Sequence, residues 1–259
     1  MNDADHPAIE FRNVSYRLPN GRELVLPGFN LSVARGETLM LLGRSGSGKT
    51  TTLKLINRLL TASAGEILVE NRSQHDWDVI RLRRSIGYVI QEIGLFPHFT
   101  IERNIGLVPK IENWPAAKVR NRVLELLQLV GLDASIAERY PRELSGGQRQ
   151  RVGVARALAA DPPILLMDEP VGALDPITRN EVQREFRDLQ KRLGKTVVFV
   201  THDLREALLL GTRIAVMEEG NLLSILTPQE FLNSSEPLIA SYLESLDAGI
   251  GAASQRGCR

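Results

Sequence analysis

An α/β architecture, a mostly parallel sheet covered by helices, follows from three features of the sequence. Runs such as Ile-Leu-Leu-Met at 164–167 and Thr-Val-Val-Phe-Val at 196–200 are almost wholly apolar, as strands buried on both faces must be. In the second half of the chain helical patterns precede or separate such runs, the alternation that crossover connections require. Finally, the strand-like run Thr38 to Leu42 leads directly into Gly43, Arg44, Ser45, Gly46, Ser47, Gly48, Lys49 and Thr50, a glycine-rich loop at a helix start.

In chain order, the stretches Ile9 to Tyr16, Leu24 to Val33, Thr38 to Leu42, Gly65 to Val69 and Ile86 to Ile90 are apolar and bounded by Gly, Pro and Asn, so they read as strands. From about 92 to 146 the β pattern disappears. Val119, Val123, Leu126, Leu127 and Val130 there recur at helical spacing between Pro115 and Val130, which predicts a helical insertion. Strands return at Pro163 to Met167, Thr196 to Thr201 and Arg213 to Glu218. Residues 247–259 are small and polar, and a frayed tail is expected.

At 259 residues and 43% hydrophobic content, one domain with a subdomain is expected. Lys and Arg total 32 against 31 acids, a net charge of +1 that gives no reason to expect nucleic acid or anionic lipid as a partner. Cys258 is the sole cysteine, so no internal disulfide forms, which fits a reducing compartment. Every apolar run is far shorter than the roughly 20 residues of a membrane helix. The beginning, MNDADHPAIEF, has acids where an export signal carries basic residues. A cytoplasmic chain reaching a membrane only through a partner is the expectation.

The loop from Gly43 to Thr50 satisfies the pattern GxxxxGK[ST]. Its glycines let backbone amides turn toward phosphates, Lys49 reaches the β and γ phosphates of a nucleotide, and Thr50 supplies an oxygen to Mg²⁺. Thr51 follows in the same helix turn. GTPases, kinases and many ATPases share this loop. A hundred residues on, Leu144-Ser145-Gly146-Gly147-Gln148 opens an apolar-faced helix, Val152 to Leu158. It reads either as an ordinary serine N-cap or as a second anion-binding helix start. Asp168, at the end of its strand, is placed to hold Mg²⁺, and Glu169 to orient or deprotonate water, although an isolated Asp-Glu pair after a strand also fits a solvated loop.

In order, these motifs resemble the ABC ATPase family. LSGGQ looks like its signature and Ile164 to Asp168 like its Walker B strand. Gln91 is similar to the Q-loop glutamine, Gly172 to Asp175 to the D-loop, and His202 to the switch histidine. The resemblance covers about Ile9 to Glu244. It implies a P-loop NTPase fold: a RecA-like core, an N-terminal antiparallel β subdomain and an α-helical insertion, spanning 1–246 with no CBS regulatory pair. ATP and Mg²⁺ are then the ligands, with Gln91 and Asp168 near the metal and His202 at the γ phosphate. Two copies sandwich ATP head to tail, Ser145, Gly146, Gly147 and Gln148 of one facing the phosphate loop of the other. Glu169, His202 and Lys49 are the implied catalytic set, acting in ATP hydrolysis.

At the adenine end the sequence departs from the family. Leu18 stands where an aromatic is expected, which leaves Tyr16, two residues earlier, either as a substitute for base stacking or as plain packing. Two long segments, GYVIQEIGLFPHFTIERNIGLVPK and RYPRELSGGQRQRVGVARALAADPPILLMDEPVGALDPITR, resemble the ATPases of bacterial importers for glycine betaine, choline and related quaternary amines. Val171 replaces the phenylalanine usual there. The resemblance implies a subunit held at the cytoplasmic face of the membrane by integral permease subunits, with a solute-binding protein as an indirect partner and no nucleic acid. Another solute, such as an amino acid, is the alternative within transport, and a soluble non-transport ABC ATPase is the alternative outside it. Ile93, Leu95, Phe96 and Pro97 are candidates for contacting the permease, or for local packing against the helical insertion.

Overall fold

The computed structural model describes residues 6–18, 23–172 and 174–244; the tail expected to fray, 247–259, lies outside the described residues. β1 (Ile9–Arg17) and β2 (Glu23–Val33) pair antiparallel. β3 (Thr38–Leu42) then leaves for a second sheet, and α1 (Lys49–Ile56) follows it. β4 (Ala64–Val69) returns to β1 and pairs in turn with β5 (Arg72–Ser73), giving the order β2-β1-β4-β5. One kink in β1 demands a glycine opposite. Asn13 takes φ 49, and a Cβ on Gly65, itself at φ +81, would lie 2.2 Å from the Asn13 carbonyl oxygen.

The second sheet collects the chain's later strands. α2 (Val79–Arg84) leads into β6 (Ile86–Val89). Then come α3 (Ile101–Ile105), α4 (Leu107–Ile111), α5 (Ala116–Leu129) and α6 (Gly146–Leu158) with no strand among them. β7 (Ile164–Asp168), α7 (Pro176–Leu193), β8 (Thr196–Thr201), α8 (Leu204–Leu210) and β9 (Arg213–Glu218) alternate as the sequence predicts. β10 (Asn221–Leu226) and α9 (Pro228–Leu232) complete the order β10-β9-β3-β8-β7-β6. Neighbours from β9 to β6 run parallel and β10 runs antiparallel.

The alternation along these strands explains why their sequences are apolar throughout. Met40, Leu42, Leu165, Met167, Val197 and Phe199 pack into one core with α5, α6 and α7, whereas Leu39, Leu41, Ile164, Leu166, Val198 and Val200 pack into another with α1 and the antiparallel sheet. The sheet is therefore a wall between two apolar layers. In the helical stretch Val123, Leu126, Leu127 and Val130 are buried, and Val119 is packed partly buried against the same core. β5 and β10 were not evident as strands in the sequence, and α6 starts at Gly146 rather than at Val152. No helix among the described residues is long and apolar enough to cross a membrane.

Candidate functional site

Three parallel strands, β3, β7 and β8, end side by side, and their C-terminal ends carry the loop before Lys49, the pair Asp168–Glu169, and His202. Such ends are where ligands bind in open α/β sheets. Gly46 and Gly48 take φ +82 and +97, and Gly48 caps α1 without a side chain. Gly43 is fixed by space: a Cβ there would lie 2.3 Å from the Met217 carbonyl oxygen and 2.5 Å from Ser47 Oγ. Arg44, Ser45 and Gly46 are exposed at the rim, Ser47 is buried beneath it, and Thr51 is half-buried in the first turn of α1.

Lys49 is 5% exposed, folded back over this loop. Its Nζ donates to the carbonyl oxygens of Gly43 and Arg44, both at 2.8 Å, and to Ser47 Oγ at 3.4 Å. Burial pulls its pKa below the ordinary lysine value, an effect opposed by the Glu169 and Asp168 carboxylates. None of its hydrogen-bond acceptors is charged. A phosphate oxygen is a stronger acceptor for an ammonium than these, so the loop fits an anion between its amides and Lys49.

Thr50 Oγ1 donates to Asp168 Oδ1 at 2.8 Å, and the Tyr88 hydroxyl donates to Oδ2 at 3.4 Å. Burial raises the Asp168 pKa, countered by the Thr50 bond. Burial likewise pushes the Tyr88 phenol up, with the Asp168 charge acting in the same direction. A hydroxyl and a carboxylate are hard oxygen ligands of the kind Mg²⁺ accepts, with phosphates and waters completing its shell. Among the described residues no cluster of three His, Cys, Asp or Glu side chains could cage a metal alone. The pair fits a magnesium ion shared with a phosphate chain.

Glu169 sits at φ 46, a left-handed conformation that strains a non-glycine residue. Two backbone bonds hold it there: its N–H donates to the Val200 carbonyl at 3.1 Å, and Gly172 N–H donates to its own carbonyl at 3.2 Å. Its Oε2 lies 3.1 Å from His202 Nδ1, with the histidine 61% and the glutamate 22% exposed. The Glu169 and Asp168 carboxylates both favour the charged form of Lys49.

The other predicted site residues stand elsewhere. Ser145 caps α6: its Oγ accepts from Gln148 N–H at 3.2 Å, while Gln148 Oε1 accepts from Ser145 N–H at 2.9 Å. Gly147 is buried where a Cβ would press on Thr178, and a Cβ on Gly146 would touch Leu174. The LSGGQ segment thus borders the start of α7 in its own chain. Gln91 is exposed just past β6, where Val89 pairs with Met167. Tyr16, at 7% exposure, packs in the same core as Phe11, Val14 and Phe29, with Leu18 partly buried against that core, the packing alternative raised for it above. Tyr88, Arg179 and Glu206 were not singled out from the sequence; tertiary contacts bring Tyr88 to Asp168 and Glu206 to the cavity beside His202, while Arg179 bonds back to the carbonyls of Gly172 and Leu174.

Comparison with known proteins agrees with this geometry. The family model described as "ABC transporter" matches residues 26–172. The choline transport ATP-binding protein OpuBA of Bacillus subtilis is 50% identical over 236 residues, covering 91% of this chain and 62% of that protein. The osmoprotectant import ATP-binding protein OsmV of Salmonella typhimurium is 55% identical over 204 residues, covering 78% of this chain and 53% of its own length. The chain thus spans little more than half the length of these relatives. Among solved structures, a dimeric ATP-binding cassette, MJ0796, in a post-hydrolysis state with ADP and Pi bound, superposes with a TM-score of 0.75 at 34% identity. That superposition covers 85% of this chain and 98% of the cassette.

Proposed function

The chain belongs to the ABC transporter family, and from that membership we propose that it is the ATP-hydrolysing subunit of an importer for glycine betaine, choline or a related quaternary amine. The observation that carries the catalytic part is the convergence of Lys49, the Thr50–Asp168 pair and the Glu169–His202 pair at neighbouring strand ends. The importer part rests on identities of 50% and 55% to transport subunits so named.

In this reading Lys49 exchanges loop carbonyls for phosphate oxygens of ATP, and the loop amides from Gly43 to Thr51 surround the rest of the phosphate chain. Thr50 and Asp168 hold Mg²⁺, with Gln91 beside them at the same sheet end. When bound, the ion neutralises phosphate charge. Glu169 accepts the proton of the attacking water, and His202, whose Nδ1 holds Glu169, keeps Nε2 free for the γ phosphate. Ser145, Gly146, Gly147 and Gln148 serve the site of a second copy, because in their own chain they border α7. Head-to-tail pairing then completes two sites, as the dimeric state of the solved cassette supports.

The partner at the membrane is an integral permease, which holds the chain at the cytoplasmic face. Its proposed seat is a groove of about 430 Å³ lined by Ile80, Arg83, Arg84, Tyr88, Phe96 and Arg156. Ile80 and Phe96 are 57% and 40% exposed there. The segment after Gln91 is rigid at this edge. Fully buried Asn104 accepts from Phe96 N–H at 2.8 Å and donates to the carbonyls of Phe96, Phe99 and Thr100, and Arg156 donates to those of Ile93 and Gly94.

Glu169→Gln tests the catalytic reading. The neutral amide keeps the shape but takes no proton, so turnover should fall at least about 100-fold while ATP binding persists and a nucleotide-bound dimer accumulates on size exclusion. Turnover at the normal rate would remove Glu169 from this role. Uptake of labelled betaine and choline by a deletion strain tests the solute, and unchanged uptake of both would remove the quaternary-amine assignment.

A further inference from the structure

A partly open cavity of about 10 Å³ is lined by the Glu169–His202 pair together with Gly172, Arg179, Thr201 and Glu206; it is the size of one water molecule. Glu206, on α8, is 3% exposed and belongs to no ion pair within 4 Å among the described residues. Its Oε1 accepts from Gln183 Nε2 of α7 at 3.2 Å, and the Thr201 side chain at the end of β8 also hydrogen-bonds it. Arg179, one turn before Gln183 on α7, donates from Nη2 to the carbonyl oxygens of Gly172 at 3.2 Å and Leu174 at 3.1 Å. Its Nε is buried with no hydrogen-bond partner.

These contacts join three elements at one point. α7 begins at Pro176, β8 ends at Thr201 just before His202, and α8 contributes the Glu206 carboxyl. A guanidinium with a buried, unbonded N–H is costly unless a negative charge is near it, and the Glu206 carboxyl lines the same cavity as Arg179. We propose that Arg179 and Glu206 are positioning residues that lock the Gly172 and Leu174 carbonyls against the strand end carrying His202, and so set the Glu169–His202 pair. The proposal rests on the roles given to that pair under Proposed function. The carbonyl of Glu169 is tied to the same segment through Gly172 N–H, which gives the lock a direct route to the strained residue.

The charge that performs this task titrates near neutrality, because burial raises the Glu206 pKa to about 7. Glu169, His202, Asp203 and Arg179 face the same cavity, so a pH profile of the wild type alone does not identify the group; Glu206→Gln does. Two readouts on the full-length chain are required: steady-state ATP hydrolysis at saturating Mg-ATP from about pH 6 to about pH 8, and amide exchange of the 170–176 backbone at the same pH values. If the charged form is needed, wild-type turnover falls about ten-fold from about pH 8 to about pH 6, and exchange at 170–176 rises on the acid side. Glu206→Gln should be slow at every pH, with a flat exchange profile and unchanged ATP affinity, and Arg179→Lys should recover part of what Arg179→Ala loses. Equal pH profiles and equal exchange in wild type and Glu206→Gln would overturn the proposal. If exchange behaves as expected while Glu169→Gln still hydrolyses ATP normally, the lock stands and the catalytic reading of Glu169 falls.

Discussion

Replacing Glu206 by Gln should make the protein more stable at alkaline pH while harming its activity. In the fold the carboxyl titrates at about 7 against a reference of 4.5, chiefly because burial penalises its charged form. The sign follows from proton binding. Between about 4.5 and 7 the native state holds a proton that the unfolded chain releases, so stability is fully present below 4.5 and is lost as pH rises through 7. At about 1.4 kcal/mol per pKa unit the loss amounts to about 3 kcal/mol. Gln has the same volume and no charge, and Gln183 can turn its amide to accept from it. Urea unfolding of both proteins at about pH 4.5 and about pH 8 should therefore show the variant gaining about 3 kcal/mol relative to wild type between the two conditions. A difference that stays constant with pH, or grows in favour of wild type at pH 8, would refute the burial argument. A stabilised but slow variant is what a strained functional site leads one to expect.

Four further outcomes can be checked independently. Tyr88→Phe removes the hydroxyl 3.4 Å from Asp168 Oδ2 and should raise the Mg²⁺ half-saturation of hydrolysis a few-fold, about 1 kcal/mol, with nucleotide affinity in EDTA unchanged; no change in Mg²⁺ dependence would show that the bond is without effect. Gly43→Ala places a methyl 2.3 Å from a backbone oxygen and should abolish binding of a fluorescent ATP analogue, so retained binding would show that the loop can shift. Tyr16→Ala should cost about 3 kcal/mol of stability as a core truncation and leave ATP affinity intact; a selective loss of affinity would restore its stacking role. Asn104→Ala leaves the part-buried Phe96 N–H without its acceptor, should cost about 1 kcal/mol, and should speed amide exchange at Phe96.

The phosphate end of the site was legible because its chemistry is local in sequence. Eight consecutive residues from Gly43 to Thr50 form a loop whose backbone shape depends on its own glycines, and Asp168 and Glu169 are adjacent at the end of an apolar run. Strands buried on both faces announced themselves for a similar reason, since the residues of β7 and β8 between their polar ends are apolar and buried on both faces. β10 was missed because it lies at the sheet edge, where its residues are half-exposed and the apolar pattern fades. Family resemblance, more than spacing, linked LSGGQ and His202 to the nucleotide.

By itself, then, the sequence determined the sheet's apolar strands, the helical stretch between β6 and β7, and the residues able to hold phosphate and magnesium. Only the tertiary structure showed Tyr16 buried, because burial depends on β2 and β4 pairing with β1. It alone placed Tyr88 on Asp168 and His202 on Glu169, contacts between residues 80 and 33 positions apart. A hydrogen bond across such separations depends on how the strands order themselves in the sheet, and no window of sequence contains that order.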